Sequence, residues 1–131
     1  MIQEIHLSVV PGVYLLSGKR AAAFRWWSAT GTGKPAFYVG QSEDILQRFK
    51  KHRRDVRANA GLRCVVLAEI ANGSERNKSE RRFIAAAWRL GLLLCNGQGS
   101  MRTCRERNRT ADLDSEVAKL NEALAYLKGE Q

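Results

Sequence analysis

Two short strings constrain this chain most: Gly12-Val13-Tyr14 near the N-terminus and Tyr38-Val39-Gly40 further on. Each lies in an apolar stretch whose β-branched and aromatic residues suit a strand. Val9 to Leu16 reads as one strand, its apolar residues following Pro11-Gly12 and stopping near Ser17-Gly18. Ala36 to Gly40 reads as the next. Between them, Arg20 to Trp27 suggests a second strand or protruding ribbon, and Ser28 to Pro35 (SATGTGKP) a turn-rich loop. Strands joined in this way predict an antiparallel hairpin with a long connection. Arg63 to Ile70 (RCVVLAEI) reads as a third strand, followed by a turn at Asn72-Gly73-Ser74.

The helices follow from spacing. Ser42 can cap a helix, with Glu43 and Asp44 in a first turn where carboxylates suit the dipole. Ile45, Phe49 and Val56 recur at helical spacing and predict a core-facing stripe. Arg48 and His52, four apart, share a strip beside that stripe. Ser79 to Leu90 (SERRFIAAAWRL) reads as a second helix with Phe83, Ile84, Ala87 and Trp88 toward the core, which puts Glu80 at the core margin. Asn96 to Arg109 (NGQGSMRTCRERNR) reads as a Gly- and Arg-rich loop. Asp112 or Asp114 can cap a last helix, whose Leu113, Val117, Leu120, Leu124 and Leu127 form an apolar seam. A helix of this length is marginal alone. Docking on the chain's own core is favoured over pairing with a second copy.

A length of 131 residues with 44% apolar content fits one domain with a core. The division expected is a single domain over 1–131: a core over about 9–97, a basic loop over 98–110 and a terminal helix over about 112–128. The 22 Lys and Arg against 13 Asp and Glu leave a net charge of +9, which favours a polyanionic partner, nucleic acid before others. Arg89 breaks the longest apolar runs, so no membrane span is expected, and Met1 to Val10 lacks a secretory layout. Cys64, Cys95 and Cys104 show no zinc-type spacing. Reduced thiols in a cytoplasm are the simplest account, with a Cys95–Cys104 bridge as the alternative.

Gly-Thr-Gly-Lys within Ser28 to Pro35 hints at a phosphate loop. Ser28 stands where the first glycine is needed, and Pro35 where a Ser or Thr must reach magnesium, so nucleoside triphosphate binding is rejected. Singly, Tyr14 and Tyr38 read as strand packing residues, Arg48 and His52 as surface groups and Glu80 as a carboxylate at a helix start. Jointly, two tyrosines, an arginine and a histidine delivered by two strands and a helix are chemistry suited to a phosphodiester.

Tyr14 in Gly-Val-Tyr, Tyr38 in Tyr-Val-Gly, Arg48, His52, Glu80 and Asn96 follow one another in an order that resembles the GIY-YIG nuclease family. The stretch Phe37 to His52 (FYVGQSEDILQRFKKH) is most similar to its homing-endonuclease-type members. The resemblance covers roughly Pro11 to Asn96, with Val in place of Ile in the first motif. It implies an α/β (α+β) fold, a three-stranded antiparallel sheet flanked by helices, to which this chain adds a C-terminal amphipathic helix. The activity implied is that of a divalent-metal-dependent DNA endonuclease. Glu80 would be the one protein carboxylate on Mg2+ or Mn2+, and Arg48 would clamp the scissile phosphate. Tyr14 is the preferred general base, which requires a nearby cation to lower its hydroxyl pKa. Tyr38 would orient water or phosphate, His52 would accept the Tyr14 proton or bond the phosphate, and Asn96 would order the site or contact the backbone rather than do chemistry.

Lys50, Lys51, Arg53 and Arg54, with Arg102, Arg105, Arg107 and Arg109, are expected to neutralise flanking phosphates. Arg25, Trp26 and Trp27 in the long connection are candidates for stacking on unpaired bases. No separate sequence-reading domain is expected in these 131 residues, which favours recognition of DNA form, or recruitment by a protein partner, over a long site. A catalytically inactive nucleic-acid-binding module of the same fold and an RNA-directed nuclease are the alternatives.

Overall fold

A computed structural model of the chain describes residues 2–18, 36–55 and 61–129. The expectations for Arg20 to Trp27, for Ser28 to Pro35 and for Val56 lie outside the described residues, as do Arg25, Trp26 and Trp27. The architecture is mixed α/β. Strands β1 (Gln3–Glu4), β2 (Gly12–Gly18), β3 (Ala36–Ser42) and β4 (Arg63–Glu69) form an antiparallel sheet in the order β1-β4-β2-β3. Helices α1 (Ile45–Asp55), α2 (Gly73–Arg89), α3 (Gln98–Arg107) and α4 (Asp114–Leu127) complete it.

The sheet is covered on both faces, which is why its central strands read as nearly continuous apolar runs. Val13, Leu15, Val39, Val65 and Leu67 point into one core with Phe83 and Ile84 of α2, Met101 and Cys104 of α3 and Leu120 and Ala123 of α4. Tyr14, Leu16, Cys64 and Val66 alternate with them and meet Ile45, Leu46 and Phe49 of α1 on the other face. The period of two thus sorts each strand between two separate cores. Gly12 allows β2 and β4 to close up where their register shifts beside Val13. A Cβ there would be driven into the Ala68 carbonyl and would stand 3.1 Å from the Glu69 Cα.

Among the described residues the sheet has four strands rather than three. The added strand, β1, is two residues long and pairs Gln3 with Val66 and Glu4 with Val65, held by buried Ile2 and Ile5. At the opposite edge, β3 is partly covered by the segment after α2. Phe37 donates its N–H to Leu93 O at 2.8 Å and accepts from Cys95 N at 2.7 Å, a short parallel bridge.

Several boundaries differ from expectation. Ser42 does not cap α1. Its hydroxyl accepts from Asp44 N, and Asp44 itself is the cap, its carboxylate accepting from Gln47 N at 3.1 Å. Helix α2 begins at Gly73 rather than Ser79. Asn72 caps it by accepting from Glu75 N, so the expected turn is a helix start. The first turns are polar and largely exposed, so no apolar period marks them. The expected loop over 98–110 holds helix α3, anchored by buried Met101 and Cys104 three apart. The turn that follows it is gathered by Arg89, which donates to Asn108 O, Arg109 O and Ala111 O.

The α4 seam docks on the chain's own core: Leu113 and Leu120 are buried there, with Val117, Leu124 and Leu127 packed against them. Neither Asp112 nor Asp114 caps it: Leu113 holds the cap position with no side-chain bond, Asp114 is the first helical residue, and Asp112 only accepts from Asp114 N at 3.0 Å in the turn before. Trp88 departs from the expected stripe and is 48% exposed. Cys64, Cys95 and Cys104 are buried thiols, which removes the Cys95–Cys104 bridge. No helix among the described residues is long and apolar enough to cross a membrane.

Candidate active site

Strand pairing sets Tyr14 opposite Gly40 and Leu16 opposite Tyr38, so both tyrosines rise from the sheet face that α1 covers. A Cβ on Gly40 would stand 2.5 Å from Tyr14 Cζ and 2.9 Å from Tyr38 Cε1. The glycine of the second string is therefore the floor on which the Tyr14 phenol lies. Passing over it, the Tyr14 hydroxyl reaches His52 Nε2, in the last turn of α1, at 3.0 Å. The Tyr38 and His52 ring centroids are 5.1 Å apart, and those of Tyr14 and Tyr38 are 6.4 Å apart. Two strands and one helix thus bring three rings into one group.

Arg48 lies one turn before His52 and is exposed. With Lys51 and Arg54 of α1 and Arg76 of α2 it lines an open cleft of about 420 Å³, where Glu43 is the one acidic side chain among the described residues. Arg76 was not singled out from sequence. Its guanidinium donates to Gln41 Oε1 at 3.0 Å and to the carbonyls of Ile70 and Ala71. Placing the helix start at Asn72 would have revealed it, because Arg76 then sits one turn before Glu80.

Glu80 is half-buried on α2. Burial pushes its carboxyl above the usual carboxylate range, offset only in part by Arg81, Arg48 and a hydrogen bond from the Gln41 backbone. Such a carboxylate, desolvated and incompletely neutralised, fits a divalent cation. Among the described residues no group of three or more His, Cys, Asp or Glu gathers as a protein-built cage. One carboxylate completed by water and phosphate oxygens is a shell that magnesium or manganese accepts.

The tyrosines share that field. Burial is the main cause raising the Tyr14 hydroxyl, Tyr38 adds to it and Arg48 opposes it. Burial, then Glu80, raises the Tyr38 hydroxyl, again against Arg48. The lowering expected for Tyr14 as a base is therefore not supplied by the chain itself, because desolvation of a 1% exposed phenol outweighs one arginine at the surface.

Asn96 stands apart from the three rings and contacts backbone. Its amide accepts from Val39 N at 3.0 Å and donates to Val39 O at 2.7 Å, continuing the bridge along the edge of β3. It fixes the backbone beside Tyr38 rather than joining the ring group. The expected phosphate-neutralising residues divide into two sets. Lys51 and Arg54 line the cleft, Lys50 is exposed and Arg53 lies over the Phe49 ring at 5.5 Å. Arg102, Arg105 and Arg107 belong to α3, which packs on the opposite face of the sheet from α1, and Arg109 follows it. Compared with known proteins, the chain matches no family model, no curated protein and no solved structure.

Proposed function

We propose that this chain is a divalent-metal-dependent DNA endonuclease of the GIY-YIG type, acting on DNA form rather than on a long sequence. The observation that carries the reading is the 3.0 Å contact between the Tyr14 hydroxyl and His52 Nε2, with Tyr38 against the same imidazole. A buried phenol joined to an imidazole is a two-step path for a proton. The neighbouring arginine cleft supplies phosphate contacts, and the net charge of +9 suits a nucleic acid.

Hydrolysis requires a water oxygen to form a new bond to phosphorus while the old P–O bond breaks; the departing oxygen takes its proton from solvent water, and His52 afterwards returns its own to solvent. In this site the water would lose its proton to the Tyr14 oxygen as the Tyr14 proton passes to His52 Nε2. That coupled transfer never builds a tyrosinate in surroundings that disfavour one. Arg48 holds the scissile phosphate, since its planar fork matches two phosphoryl oxygens. Tyr38 orients the water or the phosphate. Glu80 would hold magnesium or manganese, which when bound supplies positive charge to the phosphoryl and leaving oxygens.

The test is magnesium-dependent nicking of plasmid and of single-stranded, duplex and forked oligonucleotides, with Glu80→Ala and Tyr14→Phe beside the wild type. Cleavage by the wild type and loss in both variants is expected. Equal cleavage by wild type and Glu80→Ala overturns the metal assignment. Binding without cleavage of any form replaces the reading with a non-catalytic module, and preferential cleavage of matched RNA replaces DNA as the substrate.

A further inference from the structure

We infer that the surface formed by Trp88 and Arg105, at the junction of α2 and α3, is a stacking platform for an unpaired nucleic-acid strand. The inference rests on the nuclease reading above for the class of partner and names a second place where that partner is held. Trp88 is nearly half exposed, although it ends a run of buried residues from Phe83 to Ala87. The Arg105 guanidinium lies 4.1 Å from its ring centroid, so a planar cation stands on the indole. Hollows of about 500 Å³ and about 360 Å³ adjoin this pair, and Trp88 and Arg105 line both.

The charge decides the occupant. Among the described residues, Arg89, Arg102, Arg105 and Arg109 line the two hollows against one acid, Glu106. An excess of guanidinium groups repels the same face of a second copy and attracts phosphates. Arg89 is committed to carbonyls of the turn after α3, which keeps its charge in place without closing the hollows. Leu92, Leu94 and Met101 supply apolar walls to the smaller hollow. Flat π surfaces, apolar walls and flanking cations are the combination that binds single strands with little regard for sequence. A duplex keeps its base faces stacked inside and gains only the charge. Helix α2 carries both Glu80 and Trp88, about 12 Å apart along its axis at 1.5 Å per residue. A substrate with an unpaired flank could thus be engaged at both.

The probe is a twenty-nucleotide oligo(dT), with a duplex of equal length as control, titrated in chelator so that no cleavage occurs. Trp88→Ala is expected to weaken oligo(dT) binding by roughly tenfold and to leave duplex binding within about twofold. Trp88→Phe should restore much of the loss, because it keeps a ring. Arg105→Lys, which keeps the charge, should still weaken oligo(dT) binding because the planar group is gone. Equal oligo(dT) affinity for wild type, Trp88→Ala and Arg105→Lys overturns the platform. So does concentration-dependent self-association that Trp88→Ala abolishes while oligo(dT) binding stays unchanged. Because binding is read without metal, a wild type that binds but never cleaves counts against the nuclease reading and leaves the platform standing.

Discussion

The phenol of Tyr14 occupies the space above Gly40, its cross-strand partner, where any other residue would carry its Cβ. Gly40→Ala is therefore expected to push the Tyr14 ring off its line to His52 before it unfolds the sheet. Overpacking of this kind costs roughly 1–3 kcal/mol. Cleavage should fall much further than stability, since a misplaced group loses orientation as well as packing. Melting curves and single-turnover rates on one preparation check this. Wild-type rates in Gly40→Ala would show that the Tyr14 position is not critical.

A relay through two residues predicts non-additive mutants. Tyr14→Phe keeps the buried ring and removes only the hydroxyl that meets His52. We expect it to slow cleavage by about 10² to 10⁴, the usual range for a proton-transfer group. His52→Gln should cost a similar factor, and the double variant little more than either single one, because both break one path. Fully multiplicative losses would mean that the two residues act separately.

The cleft makes a prediction about salt. If Lys51 and Arg54 each neutralise one phosphate, each Ala variant should weaken duplex binding and lower the slope of log K against log salt by about 1. Binding titrations across a salt series measure it. Arg53, held over Phe49, serves as the internal control: Arg53→Ala should change the slope less than either.

How far the sequence disclosed this molecule depended on burial. Strands β2, β3 and β4 were legible because both of their faces are covered, which left Val13 to Leu16 and Cys64 to Leu67 almost wholly apolar. Strand β1 was not, because two residues carry no period. The start of α2 and nearly all of α3 were hidden for a related reason. A polar, exposed helix turn looks like a loop, and only Met101 and Cys104 of α3 enter the core. Tyr14, Tyr38 and His52 were expected in one group on the strength of the resemblance in their order, and the four-residue step from Arg48 to His52 put those two on one strip of α1. What could not be read was where polar atoms end. The Asn96 amide is spent on Val39, and Arg76 reaches Gln41 through a guanidinium whose direction no spacing specifies.

Glu80 should limit stability while supporting function. Its folded pKa is raised above the ordinary 4.5, mainly by burial. Its contribution to stability is therefore present at low pH and lost as pH rises through the raised value. At neutral pH, without metal, Glu80→Gln should melt higher than the wild type while cleaving nothing. In the wild type the acid limb of cleavage should lie above the ordinary carboxylate range at low magnesium. It should move to lower pH as magnesium rises, since cation and proton compete for one carboxylate. A Glu80→Gln variant that melts lower would contradict this account.

The acid side of the folding curve should instead be set by Glu4. Its carboxylate receives Arg63 Nε at 3.0 Å and Nη2 at 2.6 Å, and the Tyr126 hydroxyl at 2.7 Å, while Arg63 also donates to Leu127 O at 3.2 Å. One cluster thus joins β1, β4 and the end of α4. The Arg63 hydrogen bond is the largest cause holding Glu4 below its ordinary 4.5. A depressed carboxylate gives stability that is present above the unfolded pKa and lost as pH falls through the folded one. Because Arg63 is partly in water, Glu4→Gln should cost only about 1 kcal/mol at neutral pH. The two proteins should converge in stability below the folded pKa, where wild-type Glu4 is also neutral. Urea melts from pH 7 down to pH 3 measure the gap. A gap that stays constant over that range would show that the cluster holds by packing rather than by charge.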